Sequence, residues 1–316
     1  MTFIEMLKER QQKVNSMVCV GLDSDYSQIP ESVKAREVSV TIPNFNANII
    51  DATKEYVCAY KPNMAFYEDQ WVVGLSSLKD TISYIRDEAP DVPIILDAKR
   101  TDIGNTNKGY VRMAFDNLKA DAITVNPYFG GEALEPFLDR TDKGIIVLCR
   151  TSNKGAKDFQ DIKVYLDDLP LTVAEFFGSS YATKEGVAGR QFIRLYHLVA
   201  YKAAKEWNKN GNVLLVVGAT YPDELKNVRE IVGDTPILVP GIGAQGGELE
   251  ATVKAGLDSN GFGMIINSSR GIIFASKSAD FAEAAGREAK KIRDQINEVK
   301  ASIQKFQGGK NEKGRV

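Results

Sequence analysis

Short apolar runs rich in valine and isoleucine recur along the chain, with helix-length segments between them. They are Met17–Asp23, Tyr56–Asn63, Pro93–Lys99, Ala122–Tyr128, Gly144–Ser152, Asn212–Thr220, Pro236–Gly243 and Gly263–Asn267. Runs of this length and composition, each followed by a helical stretch, predict βα units feeding a parallel sheet. Eight such units fit a closed (β/α)8 TIM barrel better than an open doubly wound sheet, although strand number alone leaves both open. The ends of the runs decide between them. Nearly all stop in polar residues or glycine: Asp23, Lys61 with Asn63, Asp97 with Lys99, Asn126, Ser152 with Asn153, Gly241 with Gly243, and Ser269 with Arg270. In a barrel these C-terminal ends converge on one face, where the active site of this architecture lies.

Two stretches depart from the regular spacing. About sixty residues separate Ser152 from Asn212, and they include Asp158–Leu169 and the helical-looking Gly189–Lys205. A long fifth connection is expected, acting as a lid, an interface element or a structural addition. Ser278–Phe306 reads as a charged amphipathic helix and Gly308–Val316 as a frayed tail. The expected organisation is one barrel domain over residues 1–307 and a flexible C-terminal tail over 308–316, without internal repeats.

The 316 residues, 43% hydrophobic and 26% charged, supply ample core for one large domain. A formal net charge of −2 gives no chain-wide positive field, so neither nucleic acid nor an anionic membrane is an expected partner. Any anionic ligand needs a local site. Cys19, Cys58 and Cys149 sit in apolar runs without metal-ligand spacing and read as reduced core residues. The charged N-terminus has no apolar signal region, and nowhere do eighteen apolar residues run together, so a soluble cytoplasmic protein is expected.

The densest chemical signal is Asp97-Ala98-Lys99-Arg100-Thr101-Asp102-Ile103-Gly104-Asn105-Thr106 at the end of the third run. On an extended strand Asp97 and Lys99 share one face and can both point into the barrel mouth, with Asp102 in the loop beyond. An isolated Asp-x-Lys pair commonly makes an ordinary surface ion pair. Here the charges begin abruptly after Ile94-Ile95-Leu96, at the functional end of the strand. A lysine between two carboxylates is held protonated and is a positioned acid, suited to a reaction that builds negative charge on carbon and then protonates it. Decarboxylation is one such reaction.

A second signal is a phosphate grip: Val239–Gly247 (VPGIGAQGG) after the seventh run and Asn267–Gly271 (NSSRG) after the eighth. Glycines let backbone N–H groups approach phosphate oxygens, barrels build phosphate sites from these two loops, and Arg270 can add a bidentate charged contact. A glycine-rich turn alone would be weak evidence; the arginine after the next strand strengthens it. Asp23 either caps a turn or accepts a sugar hydroxyl. Lys61 and Asn63 alternate on their strand and can reach the same sugar, while Thr151, Ser152 and Asn153 suit a base edge. The lone His197, in a helical-looking stretch, reads as structural. With one histidine, neither a His-based triad nor a His-rich metal site is available.

These residues resemble a known family. The stretch from Asp97 to Thr106 is similar to the signature of the orotidine 5′-phosphate decarboxylases. Ala59–Glu68 (AYKPNMAFYE), Val147–Asn153 (VLCRTSN) and the Pro240–Gly247 turn resemble its longer bacterial subgroup, as does the long fifth connection. The resemblance spans Asp23 to Arg270; Thr101 stands where a smaller residue is expected and touches no proposed contact. It implies that Lys99 protonates C6 of the pyrimidine after carbon dioxide leaves, with Asp97 nearest the departing carboxylate. It implies further that Asp102 and Thr106 reach into a neighbouring subunit's site, hence a homodimer. Asp23, Lys61 and Asn63 would hold the ribose, Ser152 would read the base, and Gln245 with Arg270 would hold the phosphate of orotidine 5′-monophosphate, without metal or other cofactor. Two other readings compete: a Mg²⁺-dependent 3-keto-gulonate 6-phosphate decarboxylase or hexulose-phosphate synthase, and a non-catalytic nucleotide sensor on a degenerate barrel. Thr106 after Asp102-Ile103-Gly104 favours the orotidine reading over the first, and the intact Asp97/Lys99/Asp102 set argues against the second.

Overall fold

All eight expected strands are present in the computed structural model, with ends shifted by at most three residues: β1 Val18–Leu22, β2 Ala59–Pro62, β3 Ile95–Arg100, β4 Ala122–Val125, β5 Gly144–Arg150, β6 Val213–Val217, β7 Ile237–Pro240 and β8 Met264–Ser268. The structure describes residues 1–178, 181–185, 189–242 and 248–313, with side chains of the last helix to residue 303. The strands are all parallel, in the order β2-β1-β8-β7-β6-β5-β4-β3. Parallel bridges from Tyr60 to Ile94 and from Asn63 to Asp97 join the two ends and close the ring. Among the described residues, no helix is long and apolar enough to cross a membrane.

The two-residue period of a strand explains both the core and the site. Val18, Val20, Tyr60, Leu96, Ile123, Val147, Leu215, Val239 and Ile266 face outward and pack under the helices. Cys19, Ala59, Ile95, Ala122, Ile146, Leu214, Leu238 and Ile265 face inward and form an apolar plug. One inward step further along, the same strands present Lys61, Asp97, Thr124, Leu148, Val216, Pro240 and Asn267 to a cavity. Polarity therefore begins one layer above a dry floor.

That floor is sealed from below by an N-terminal helix, Phe3–Val14, which sequence patterning did not single out. Thr2 and Glu5 close its first turn reciprocally as a capping box, and Phe3 and Leu7 pack into the plug. Gly144, at the start of β5, makes room: a Cβ there would lie 2.4 Å from the Phe3 ring. Near the same end, the buried Arg229 guanidinium donates to the carbonyls of Gly233, Thr235, Gly256 and Gly263, tying together the entries to β7 and β8. Burial pushes Arg229 down to about 10, still well above neutrality.

The fifth connection carries a three-stranded antiparallel sheet of Lys163–Tyr165, Arg190–Arg194 and Thr183–Glu185, with the middle-listed strand at its centre. The expected helix over Gly189–Lys205 is thus corrected: Arg190–Arg194 is a strand and the helix starts at Leu195. Alternation of Arg190, Phe192 and Arg194, with Phe192 edge-on to Tyr165 across the pair, explains the difference. At the C-terminus the last helix runs Phe281–Lys313 and crosses the expected boundary at 307. Gly308 and Gly309 lower helix propensity but keep their N–H donors, and the surrounding Lys, Gln and Glu residues favour helix. Cys19, Cys58 and Cys149 are free and buried, as expected.

Candidate active site

A cavity of about 510 Å³ opens at the C-terminal ends of the strands. It is lined by Asp23, Lys61, Asn63, Asp97, Lys99, Thr151, Ser152, Asn153, Ser269 and Arg270, all singled out in the sequence, and also by Thr124, Gln160 and Asn267. Its polar centre is Asp97. One carboxylate oxygen accepts from Lys61 Nζ at 2.7 Å; the other accepts from Lys99 Nζ at 2.7 Å and Thr124 Oγ1 at 2.9 Å. Lys61 and Asp97 are buried, whereas the Lys99 side chain is half exposed to the cavity.

Burial alone would push the Asp97 carboxyl up, but the two ammonium groups beside it hold it well below the usual carboxylate range. Burial would likewise lower Lys61, yet Asp97 and Asp23 raise it. Both groups are therefore charged throughout the neutral range. The unit sets two lysine ammonium groups around one buried carboxylate, with Asp23 close enough to act on Lys61.

Lys99 reaches this position by a route that alternation does not describe. Its φ is +49°, in the left-handed region, and the β3–β4 register shifts between Leu96 and Arg100. The Lys99 N–H leaves the ladder and donates to Thr124 Oγ1 at 2.9 Å. A non-glycine residue held there costs on the order of 1 kcal/mol or more, a strain typical of functional positions. Thr124 thus fixes both the lysine backbone and the aspartate side chain. Sequence reading passed over it, although its place two residues beyond the buried Ala122 was the available signal.

Asp102 and Thr106 do not join this cavity in their own chain. Among the described residues of one chain, the carboxylate bonded to Lys99 is that of Asp97, and the expectation for Asp102 and Thr106 concerns a neighbouring subunit's cavity. After the bulge the strand turns away, with Thr101 Oγ1 bonded to the Asn126 carbonyl. Asp102 Oδ1 accepts from the Ile103 N–H and the Asp102 N–H donates to the buried Asn107. Thr106 is exposed. Asn126, expected on the same face, instead caps the turn Pro127–Phe129 through Tyr128 N–H.

On the β1 and β8 wall, Asp23 Oδ1 and Asn267 Oδ1 are buried acceptors without a hydrogen-bond partner among the described residues. Both belong to residues lining the cavity, so a ligand hydroxyl is a fitting donor. Asp23 follows a strand end braced by a buried network in which Asn46 bonds Ser24, Tyr67 and Thr81, and Tyr67 donates to the Leu22 carbonyl. Gly21 completes the packing, since a Cβ there would lie 1.9 Å from Ser269 Oγ.

Gly241, with φ +102°, turns the chain after β7, and Arg270 and Ser269 follow β8 on the adjacent wall. Gln245, expected to share the phosphate with Arg270, lies outside the described residues. His197 is buried away from the cavity, its Nδ1 accepting from the Arg194 N–H. Burial and the Arg194 charge push it down to about 4, so it is neutral at pH 7 and structural, as expected.

The model of the family described as "Orotidine 5'-phosphate decarboxylase / HUMPS family" matches residues 16–285. The chain is 45% identical over 300 residues to orotidine 5′-phosphate decarboxylase of Ralstonia pickettii, covering 95% of this chain and 100% of that protein. It is 46% identical over 302 residues to the protein of the same name from Dechloromonas aromatica, covering 94% and 99%. Among solved structures, Leishmania donovani OMP decarboxylase superposes with a TM-score of 0.73 at 37% identity, covering 95% of this chain and 99% of that one. Leishmania donovani UMP synthase matches with a TM-score of 0.75 at 38% identity, and there 95% of this chain covers 57% of the longer protein. With matches of this extent around a barrel whose strand ends gather the charged unit, the chain belongs to the orotidine 5′-phosphate decarboxylase / HUMPS family.

Proposed function

We propose that this protein decarboxylates orotidine 5′-monophosphate to uridine 5′-monophosphate, the last step of UMP synthesis, as a cytoplasmic enzyme without metal or other cofactor. The observation that carries the reading is the Lys61–Asp97–Lys99 unit on an apolar floor, with glycine and arginine loops at the opposite wall. The C6–carboxylate bond breaks, its electron pair stays on C6, and carbon dioxide leaves. Lys99 Nζ then delivers a proton to C6, and solvent restores it. A C6 carbanion is poorly delocalised into the ring, so preorganised positive charge must stabilise it. Asp97, ionised and fixed, stands beside the departing carboxylate. Contacts to ribose and phosphate supply the binding energy that holds two anions together. Asp23, Lys61 and Asn63 serve the ribose, Thr151 and Ser152 the base, and Arg270 with Gln245 the phosphate. Formation of UMP from orotidine 5′-monophosphate by the purified protein tests the assignment.

The proposed assembly is a homodimer in which Asp102 and Thr106 complete the partner's cavity. The support is their position outside their own cavity and exposed apolar residues on the neighbouring connections after three strands. Trp71 is 78% exposed, Ile103 60% and Tyr128 84%, and they follow β2, β3 and β4, consecutive strands of the ring. Solvent-facing aromatics in one sector mark an interaction surface.

Arg270→Ala is expected to erode discrimination between orotidine 5′-monophosphate and orotidine by roughly 10- to 100-fold in kcat/KM, the loss of a charge-assisted contact worth about 1.5–3 kcal/mol. Steady-state kinetics with both substrates check it. An unchanged ratio would place the phosphate elsewhere.

A further inference from the structure

The long fifth connection touches the cavity, beyond Asn153 and among its described residues, only through Gln160. The Gln160 amide is spent on one neighbour. Its Oε1 accepts the Thr151 N–H at 2.9 Å and its Nε2 donates to Thr151 Oγ1 at 2.9 Å. The Thr151 hydroxyl in turn donates to Asn153 Oδ1 at 2.7 Å. Thr151 and Asn153, on either side of Ser152, are thereby locked to each other and to the connection.

The connection is anchored where it presents Gln160. The Gln160 N–H donates to the Ala156 carbonyl at 2.8 Å and its carbonyl accepts the Tyr196 N–H at 3.0 Å. Next to it, Asp161 faces the guanidinium of Arg150 at 3.2 and 3.3 Å. Arg150 is fully buried and stacked over Tyr221 at 4.7 Å, and Arg194 donates to the Asp161 carbonyl at 2.8 Å. A second wall confines Ser152 from the opposite side: a Cβ on Gly218 would lie 2.8 Å from Ser152 Cβ and 2.9 Å from its backbone nitrogen. Ser152 is set between a glycine that cannot grow and a loop held by a remote amide.

We propose that Gln160 is a positioning residue for base recognition: carried by the fifth connection, it locks Thr151 so that Ser152 meets the pyrimidine edge in one orientation. The proposal rests on the decarboxylase reading and gives the connection the role of a brace. Its consequence is a split in the ligand. Gln160 should matter for the base and not for the ribose phosphate, which is held on the β1, β2, β7 and β8 side of the cavity.

The test compares two inhibitors, UMP and ribose 5-phosphate, on wild type, Gln160→Met and Gln160→Glu. Gln160→Met keeps the length of the side chain and removes both hydrogen bonds; Gln160→Glu keeps an acceptor for the Thr151 N–H and loses the amide donor. The expected result for Gln160→Met is about 10- to 100-fold weaker UMP binding, two net hydrogen bonds, with ribose 5-phosphate unchanged. Gln160→Glu should fall between it and wild type. Equal weakening of both ligands would show general loss of cavity structure, and no weakening of either would show an idle residue; each overturns the proposal. Wild-type protein that binds ribose 5-phosphate but not UMP would overturn the decarboxylase reading along with it. Wild type that forms UMP while Gln160→Met fails the split leaves that reading standing and removes only the brace.

Discussion

Replacement of Lys99 by alanine is expected to lower kcat by roughly three to six orders of magnitude, since the proton donor and one of two cations facing the reaction are lost together, at a cost on the order of 4–8 kcal/mol. The fold should tolerate the change. Lysine and alanine carry the same Cβ, so the left-handed conformation at this position is strained equally in both. Asp97 keeps its bonds to Lys61 and Thr124 and stays ionised. The proposed ribose and phosphate contacts come from other strands, so binding of ribose 5-phosphate should change far less than kcat. Single-turnover and steady-state rates check this, and a variant that retains a tenth of the wild-type kcat would refute the assignment of Lys99.

The second large effect is recovery of activity on mixing two dead proteins. Lys99→Ala and Asp102→Ala should each be inactive if every cavity takes Lys99 from one chain and Asp102 from its partner. In a mixed dimer with two-fold symmetry, one cavity collects both substitutions and the other collects neither. Random exchange of equal amounts makes half the dimers mixed, so roughly a quarter of all cavities regain full activity. If Asp102 served its own chain, every cavity would keep one lesion. Mixing without recovery, despite exchange demonstrated with tagged subunits, would contradict the shared cavity and leave the decarboxylation reaction in place.

The barrel was readable from the chain because parallel strands covered on both faces are continuous apolar runs, and their polar ends mark the mouth. Lys61, Asn63, Asp97, Ser152 and Arg270 were found by that logic, and all line the cavity. Lys99 was found for an incomplete reason. Alternation placed it beside Asp97, but its placement depends on a bulge and a left-handed residue pinned by Thr124, which no two-residue period encodes. The N-terminal plug had a local signature in Thr2 and Glu5, yet what it seals depends on Gly144 on a distant strand. Gln160 and Arg229 were illegible for a shared reason. Their partners are backbone groups or side chains brought near only by the path of the folded chain, and a carbonyl leaves no mark in the residue alphabet. The fifth connection was readable as an irregularity of spacing, but its strand at Arg190–Arg194 was masked by apolar residues that also suit a helix.

The measurement that reaches the central claim most directly is decarboxylation of orotidine 5′-monophosphate in D₂O containing excess EDTA, followed by absorbance and by mass and NMR analysis of the product. The expected result is undiminished turnover and UMP carrying one deuterium at C6, delivered from an ammonium group that exchanges with solvent. No UMP from folded protein, or turnover abolished by the chelator and restored by Mg²⁺, would contradict it.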